Sequence, residues 1–366
     1  VEKTYSFLEL SERDYYKALL KAQNTTFYNN KSRIEFLKLR KRSMKMFIVK
    51  QQNKDIALLM YQKISARSGA FLYFQHSPVF LDLSESNSEG FWQELYSFAK
   101  DQGKKNNVIY VRFTPRVEQT TRLLQILDTV GFQKAPVQEV DACITRVITI
   151  SSYKPANIET SLKDTMDILK DQGFIVDIKD DAVTLESFMM MYKKIKTKQG
   201  ETTLPFDYMK SELEAYLTNK ELLTCICHDI NGTVYAGAVV VLGKKCSWYY
   251  WALTIDKEES LAAQGLLLEE LITYLKKNKC QEIDLWGESV TEEIYKRKLS
   301  HPWLTIDSFK RDFGSTLVTY ITPIDIPINT TVYRASGLYQ RFNMARRGYP
   351  YVTFEHDKDE QLVEKK

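Results

Sequence analysis

The chain is poor in the residues that carry most metal and cofactor chemistry. Its four histidines, His76, His228, His301 and His356, are scattered without ligand spacing, which argues against a metal site or a Ser-His-Asp triad. Its 14 glycines form neither a Walker loop nor a G-x-G-x-x-G turn. Five cysteines without a C-x-x-C pair fit reduced, buried thiols better than a disulfide framework. No run approaches the about 18 apolar residues that cross a bilayer. The first residues, "VEKTYSFLELSERDYYKAL", lack the basic start and apolar run of a signal peptide. A cytoplasmic protein without stable membrane insertion is expected. The net charge of +4 is too small to mark a nucleic-acid protein by total charge, so any site for a polyanion must be local.

What is present is enough core for two domains, with 44% hydrophobic residues in 366, and an internal echo. Residues 46–113 read as strand "MFIVKQ", strand "IALLMYQKI", strand "FLYFQHSPVFL", helix "SEGFWQELYSFAKDQGKK" and strand "NVIYVRF". Residues 222–286 repeat that order with "LLTCICHD", "VYAGAVVVL", "CSWYYWAL", the helix "LAAQGLLLEELITYLKKNK" and "EIDLW". In the second helix Leu267, Leu268, Leu271, Ile272 and Leu275 form one apolar stripe. Between the copies, "PANIETSLKDTMDILKDQG" and "TLESFMMMYKKIKTKQG" read as helices, with Asn157 or Thr160 as first cap and Gly173 and Gly200 as stops. "LVTYITPIDIP" reads as strand and turn, "NTTVYRASGLYQRFNMARRGY" as a closing helix, and "EHDKDEQLVEKK" as a frayed tail. In "SFKRDFGS", Lys310 reads as a lysine near a strand end.

A doubled module of this kind, followed by "EIDLWGE" and then an F-K-x-x-F element with glycine behind it, resembles the FemABX family of tRNA-dependent peptidyltransferases. "FQHSPVFLD", "VRFTP", "TVGFQKAPVQEVD" and "DLWGE" stand in the family's order along most of the chain. The resemblance implies an α/β fold of two tandem GNAT-like domains, residues 1–150 and 151–345. Part of the C-terminal segment is expected to pack back on the first domain, with a charged tail over 346–366. The chain has no room for the coiled-coil arm of some members. It also implies transfer of an amino acid from aminoacyl-tRNA, as co-substrate, to the stem-peptide side-chain amine of UDP-MurNAc-pentapeptide or lipid II. No cofactor, no metal and a monomeric state are expected.

The resemblance further implies the site residues. Lys310 matches the family's F-K lysine and is the expected catalytic cation, facing an oxyanion or a tRNA phosphate. In "FLKLRKR", Phe36 stands for the family's tryptophan and Lys38 for its phosphate-contacting lysine, with Arg40 beside it. Lys198 stands where the family has arginine, keeping charge without the bidentate fork. In "CSWYYWAL", Tyr249 and Trp251 are expected on one face, bordering the substrate cleft. Two departures stand out: Thr114 replaces the family's aspartate, and the first interdomain helix sets Glu159, Asp164, Asp167 and Asp171 against Lys163 and Lys170. They keep a second reading open, a non-catalytic binding module for precursor, tRNA or a protein partner. An acetyl-CoA-dependent N-acetyltransferase is disfavoured, because "SLAAQGLLLEE" offers one glycine followed by bulky leucines where a pyrophosphate cradle is needed.

Overall fold

The structure is a computed structural model that describes residues 5–22, 24–66, 69–136, 142–199, 205–255, 259–287 and 304–347. Of residues 196–199, 304–307, 340 and 343–347 it describes the backbone alone. The chain forms two compact units: Val1–Ile144 with Val290–His301 and Thr319–Lys366, and Thr145–Ser289 with Pro302–Val318. The expected tail lies outside the described residues.

The first unit is built on a sheet of β1 (Tyr5–Glu9), β2 (Met44–Gln51), β3 (Lys54–Ala66), β4 (Gly69–Gln75), β6 (Tyr110–Thr114), β15 (Ile324–Pro327) and β7 (Gln133–Lys134), with β5 (Val79–Phe80) pairing β3. β2, β3 and β4 pair antiparallel, and β4 then pairs β6 in parallel. A parallel pair needs a crossover. It is the helix Glu89–Lys105, capped by the Ser88 hydroxyl, which accepts from Phe91 N. Its Phe91, Trp92, Leu95 and Ala99 pack into a core with Phe74, Phe80, Phe113 and Ile326. Gly103 faces Ile328 so closely that a Cβ would stand 2.8 Å from its Cδ1 and Cγ1, so the helix lies tight on the segment after β15.

The second unit repeats the plan with β8 (Ile144–Thr149), β9 (Ile175–Lys179), β10 (Leu222–His228), β11 (Val234–Val241), β12 (Cys246–Thr254), β13 (Glu282–Asp284) and β14 (Thr316–Thr319), in the order β14-β8-β13-β12-β11-β10-β9. The helix Ser260–Lys277 crosses from β12 to its parallel neighbour β13 and buries the leucine stripe against β10 and β11. Among the described residues between β9 and β10 there are two helices, Ala182–Gln199 and Phe206–Thr218, and no long arm.

The boundary differs from the expected division at residue 150. β8 follows the first module in sequence but pairs antiparallel with β13 of the second sheet. β15 follows the second module but pairs antiparallel with β6 of the first. Each sheet is thus completed by a strand that local periodicity attaches to the other module. An ion pair fastens the return: Arg112 on β6 donates Nε and Nη2 to Asp325 on β15 at 2.8 and 2.9 Å. The Tyr333 hydroxyl donates to the same carboxylate at 3.0 Å, and the Arg112 guanidinium lies 5.0 Å from the Tyr110 ring centre. Both charged groups are buried, and a buried charge persists only with partners of this quality.

Two local expectations change. The helix Thr160–Asp171 is capped by Glu159, whose carboxylate accepts from Ser161 N and Leu162 N, while Asn157 caps a short turn by accepting from Lys154 N. Gly173 ends that helix at φ +81°; Gly200 lies outside the described residues. Lys310 is not near a strand end: "SFKRDFGS" forms the last turn of the helix Leu304–Asp312, and Gly314 at φ +67° stops it.

Candidate active site in the second module

The end of the β12/β13 pair generates the site. The two strands run together over Cys246–Trp248 and Glu282–Asp284, and β13 then ends while β12 continues to Thr254. Past Trp248, β12 has β11 on one side and, among the described residues, no paired strand on the other. Open α/β sheets bind ligands beyond the carboxyl ends of such strands.

The turn after β13 is set by Asp284. Its buried Oδ1 accepts from Thr145 Oγ1 at 2.5 Å and from Trp286 N at 2.8 Å. An aspartate that binds the N–H two residues on makes an Asx turn. Here it holds Trp286 at φ +51°, a left-handed conformation that a bulky residue rarely adopts, followed by Gly287 at φ +71°. The two peptide carbonyls converge on Lys310, whose Nζ donates to Trp286 O at 2.6 Å and also to Gly287 O. Phe309 and Phe313, the aromatics that flank Lys310 in sequence, are core residues that anchor its helix, and the Ser315 hydroxyl donates to Lys310 O at 2.5 Å. Lys310 itself is 5% exposed. A buried lysine held by two backbone carbonyls on a tethered helix turn is a positioned group rather than a solvated surface side chain.

Aromatics line the same region. Tyr250 packs edge-on to Trp286 at 6.1 Å and donates its hydroxyl to Glu212, a fully buried carboxylate, at 3.2–3.3 Å. Trp251 stands partly exposed beside Tyr250 and Tyr192. The pairing of β11 with β12 explains the arrangement. Val239 pairs with Trp251 and Val240 with Tyr249, so Tyr250 is an extra residue, a β-bulge. A bulge resets the alternation of faces.

Tyr249 therefore does not share a face with Trp251, as strict alternation predicts. It packs in the core with Cys225, Cys227 and Leu267, bonded to the Gln264 amide, and burial pushes its hydroxyl pKa well up. That overturns its expected place at a substrate cleft. The other expected residues are placed as follows. Phe36 and Lys38, two positions apart on the helix Lys31–Leu39, point to opposite sides. Phe36 is buried under the Arg33 guanidinium, whereas Lys38 is mainly exposed and pairs with Glu12 at 2.9 Å. Arg40 is the C-cap of that helix. Lys198 lies on the helix Ala182–Gln199, with its side chain outside the described residues. Thr114 is buried, accepting from His76 N at 3.2 Å and donating to Tyr73 Oη at 3.4 Å. In the first module the β4/β6 pairing runs to Gln75 and Thr114, so the corresponding strand ends are closed by hydrogen bonds.

Three participants were not singled out from sequence: Asp284, Tyr250 and Glu212. Each had a signal. The D-x-W-G order is that of an Asx turn passing into glycine. In "FDYMKSELEAYL", Glu212 interrupts the apolar stripe of Met209, Leu213 and Tyr216, the mark of a buried carboxylate. At the N-terminus of the helix Ser260–Lys277, the glycine of "SLAAQGLLLEE" is filled rather than bare: a Cβ on Gly265 would stand 2.7 Å from Met166 Sδ. That glycine serves helix packing, which disfavours a pyrophosphate cradle there.

No family model and no curated protein sequence matches the chain. Solved structures do. FemX matches with a TM-score of 0.74 at 13% identity, over 91% of this chain and 100% of that one. L-PGS from Bacillus licheniformis matches with a TM-score of 0.55 at 10% identity, over 93% and 98%. A tandem GNAT protein from the clavulanic acid biosynthesis pathway matches with a TM-score of 0.54 at 9% identity, over 89% and 99%. The chain has a FemABX-like fold of two tandem GNAT-like domains.

Proposed function

We propose that the chain is an aminoacyltransferase that moves an amino acid from aminoacyl-tRNA to the stem-peptide side-chain amine of a peptidoglycan precursor, UDP-MurNAc-pentapeptide or lipid II. The observation that carries the reading is Lys310, a buried lysine held by the Trp286 and Gly287 carbonyls on the turn that follows β13, in a chain with a FemX-like fold. Aminolysis of an ester needs little else. The acceptor amine attacks the carbonyl carbon and forms the C–N bond, the C–O bond to the tRNA ribose breaks, and the amine's proton passes to the departing oxygen. The ester is already activated, so the reading requires no cofactor. A preorganised cation stabilises the charge that grows on the carbonyl oxygen, or anchors the terminal tRNA phosphate. The two carbonyls hold the Lys310 nitrogen in one place. With Thr114 in the aspartate's place, this reading assigns the proton relay to Tyr250, which passes its own proton to Glu212 as it accepts one from the amine; as the ester C–O bond breaks the relay runs back, Glu212 returning its proton to Tyr250 and Tyr250 giving one to the departing ribose oxygen.

Purified protein with charged total tRNA and UDP-MurNAc-pentapeptide or lipid II, read by mass shift, tests the reaction. Lys310→Met is expected to abolish transfer while leaving precursor binding nearly intact; unchanged turnover would refute the role. The pairing of Lys38 with Glu12, the buried Tyr249 and the buried Thr114 favour a second reading, a binding module without catalysis. Precursor or tRNA binding without a mass shift on either precursor would decide for it.

A further inference from the structure

The closing helix, Thr330–Arg347, has a face that the transfer reading does not use. Its inner side is pinned to the first unit. Tyr333 packs on Tyr110 at 5.5 Å and bonds to Asp325, Ser336 is buried, and Gly337 faces Pro136, whose Cγ would stand 3.1 Å from an added Cβ. With about 3.6 residues per turn, Ala335, Leu338 and Phe342 fall on the opposite side. Leu338 is 67% exposed and Phe342 66%, one turn apart, and neighbouring Tyr339 is 52% exposed. Arg334 and Arg341 stand exposed along one flank of this apolar strip. Over its 18 residues the helix carries four arginines, Arg334, Arg341, Arg346 and Arg347, and no aspartate or glutamate.

We propose that this outer face docks on an anionic bilayer surface. Exposed leucine and phenylalanine cost solvation when left in water, and they gain it back when laid at the acyl boundary. Flanking arginines bring their aliphatic stems down with them and keep the guanidinium at the phosphate level. The absence of acidic residues removes the repulsion that anionic headgroups would otherwise exert. RNA also attracts arginine and aromatic rings, but it offers no chemistry to Leu338, the apolar residue at the centre of the strip. The helix lies on the bilayer rather than through it: no described helix is long and apolar enough to cross a membrane. Such docking goes beyond the transfer reading and does not depend on it; it favours an acceptor presented at a membrane surface.

The test is flotation of the full chain with vesicles of phosphatidylcholine alone or with phosphatidylglycerol. Binding is expected with phosphatidylglycerol and is expected to weaken as salt rises. Leu338→Ser with Phe342→Ser should lower vesicle affinity about tenfold or more for each apolar side chain removed. Arg334→Gln with Arg341→Gln should lower it and flatten the salt dependence. All four side chains are exposed, so the variants should melt with the parent, and turnover of a soluble UDP-linked precursor should be unchanged. That last measurement separates failure of docking from failure of the transfer reading. No retention on phosphatidylglycerol vesicles, or retention indifferent to the Leu338/Phe342 change, would overturn the proposal. Loss of tRNA affinity in the variants with vesicle affinity preserved would also overturn it and mark the face as an RNA contact.

Discussion

Asp284→Ala should unlock the turn that holds Lys310. The carboxylate is buried and accepts two hydrogen bonds, from Thr145 Oγ1 at 2.5 Å and Trp286 N at 2.8 Å. Hydrogen bonds to a charged acceptor are worth about 1.5–3 kcal/mol each, and alanine leaves both donors unpaired in the interior. Trp286 at φ +51° stores about 1–2 kcal/mol of backbone strain that the carboxylate holds in place and its removal releases. The net loss expected for the second unit is about 2–4 kcal/mol. Asp284→Asn keeps one oxygen acceptor in the same place, so about half that loss is expected. Urea unfolding of the three proteins measures this as a fall in midpoint. The backbone part of the reasoning has its own control. Trp286→Gly relieves the left-handed strain, so the carboxylate matters less to the turn in its presence: the cost of Asp284→Ala should shrink in that background. Transfer kinetics complete the test, because released Trp286 and Gly287 carbonyls no longer position Lys310, and turnover should fall more than precursor binding. An alanine variant within about 0.5 kcal/mol of the parent, the range of ordinary surface substitutions, would refute the assignment.

Two further outcomes test the frame. Asp325→Ala strands the buried Arg112 guanidinium and should cost the first unit about 3–5 kcal/mol, whereas Arg112→Met combined with Asp325→Leu should cost much less; equal losses in denaturation would show that the pair does not fasten β15. Tyr249→Phe leaves the Gln264 amide without its hydroxyl partner and should cost about 1–2 kcal/mol with turnover per folded molecule unchanged. A drop in turnover at full stability would instead return Tyr249 to the substrate.

Much of the fold is legible in the chain because it is written locally. Short apolar runs bounded by turn residues mark the hairpins Met44–Ala66 and Leu222–Val241, and a period of 3.6 marks the helices Glu89–Lys105 and Ser260–Lys277. The site is less legible. Lys310 stands out by its place behind "DLWGE", but its setting on a helix turn does not, since "SFKRDFGS" is too short to show a period. The Tyr249 and Trp251 expectation failed at one residue. A bulge at Tyr250 has no mark of its own in "CSWYYWAL" and arises in the pairing with β11, yet it moves Tyr249 into the core.

By itself, then, the sequence determines the repeated module, the order of its elements and the presence of a lysine after the second copy, since each follows from side-chain periodicity and neighbouring residues. Only the tertiary structure decides that β8 completes the second sheet and β15 the first, because strand pairing joins residues more than a hundred positions apart and leaves no local period. It also decides what Lys310 faces. The carbonyls of Trp286 and Gly287 turn toward it because Asp284 bends the chain, a geometry that depends on three segments meeting in space.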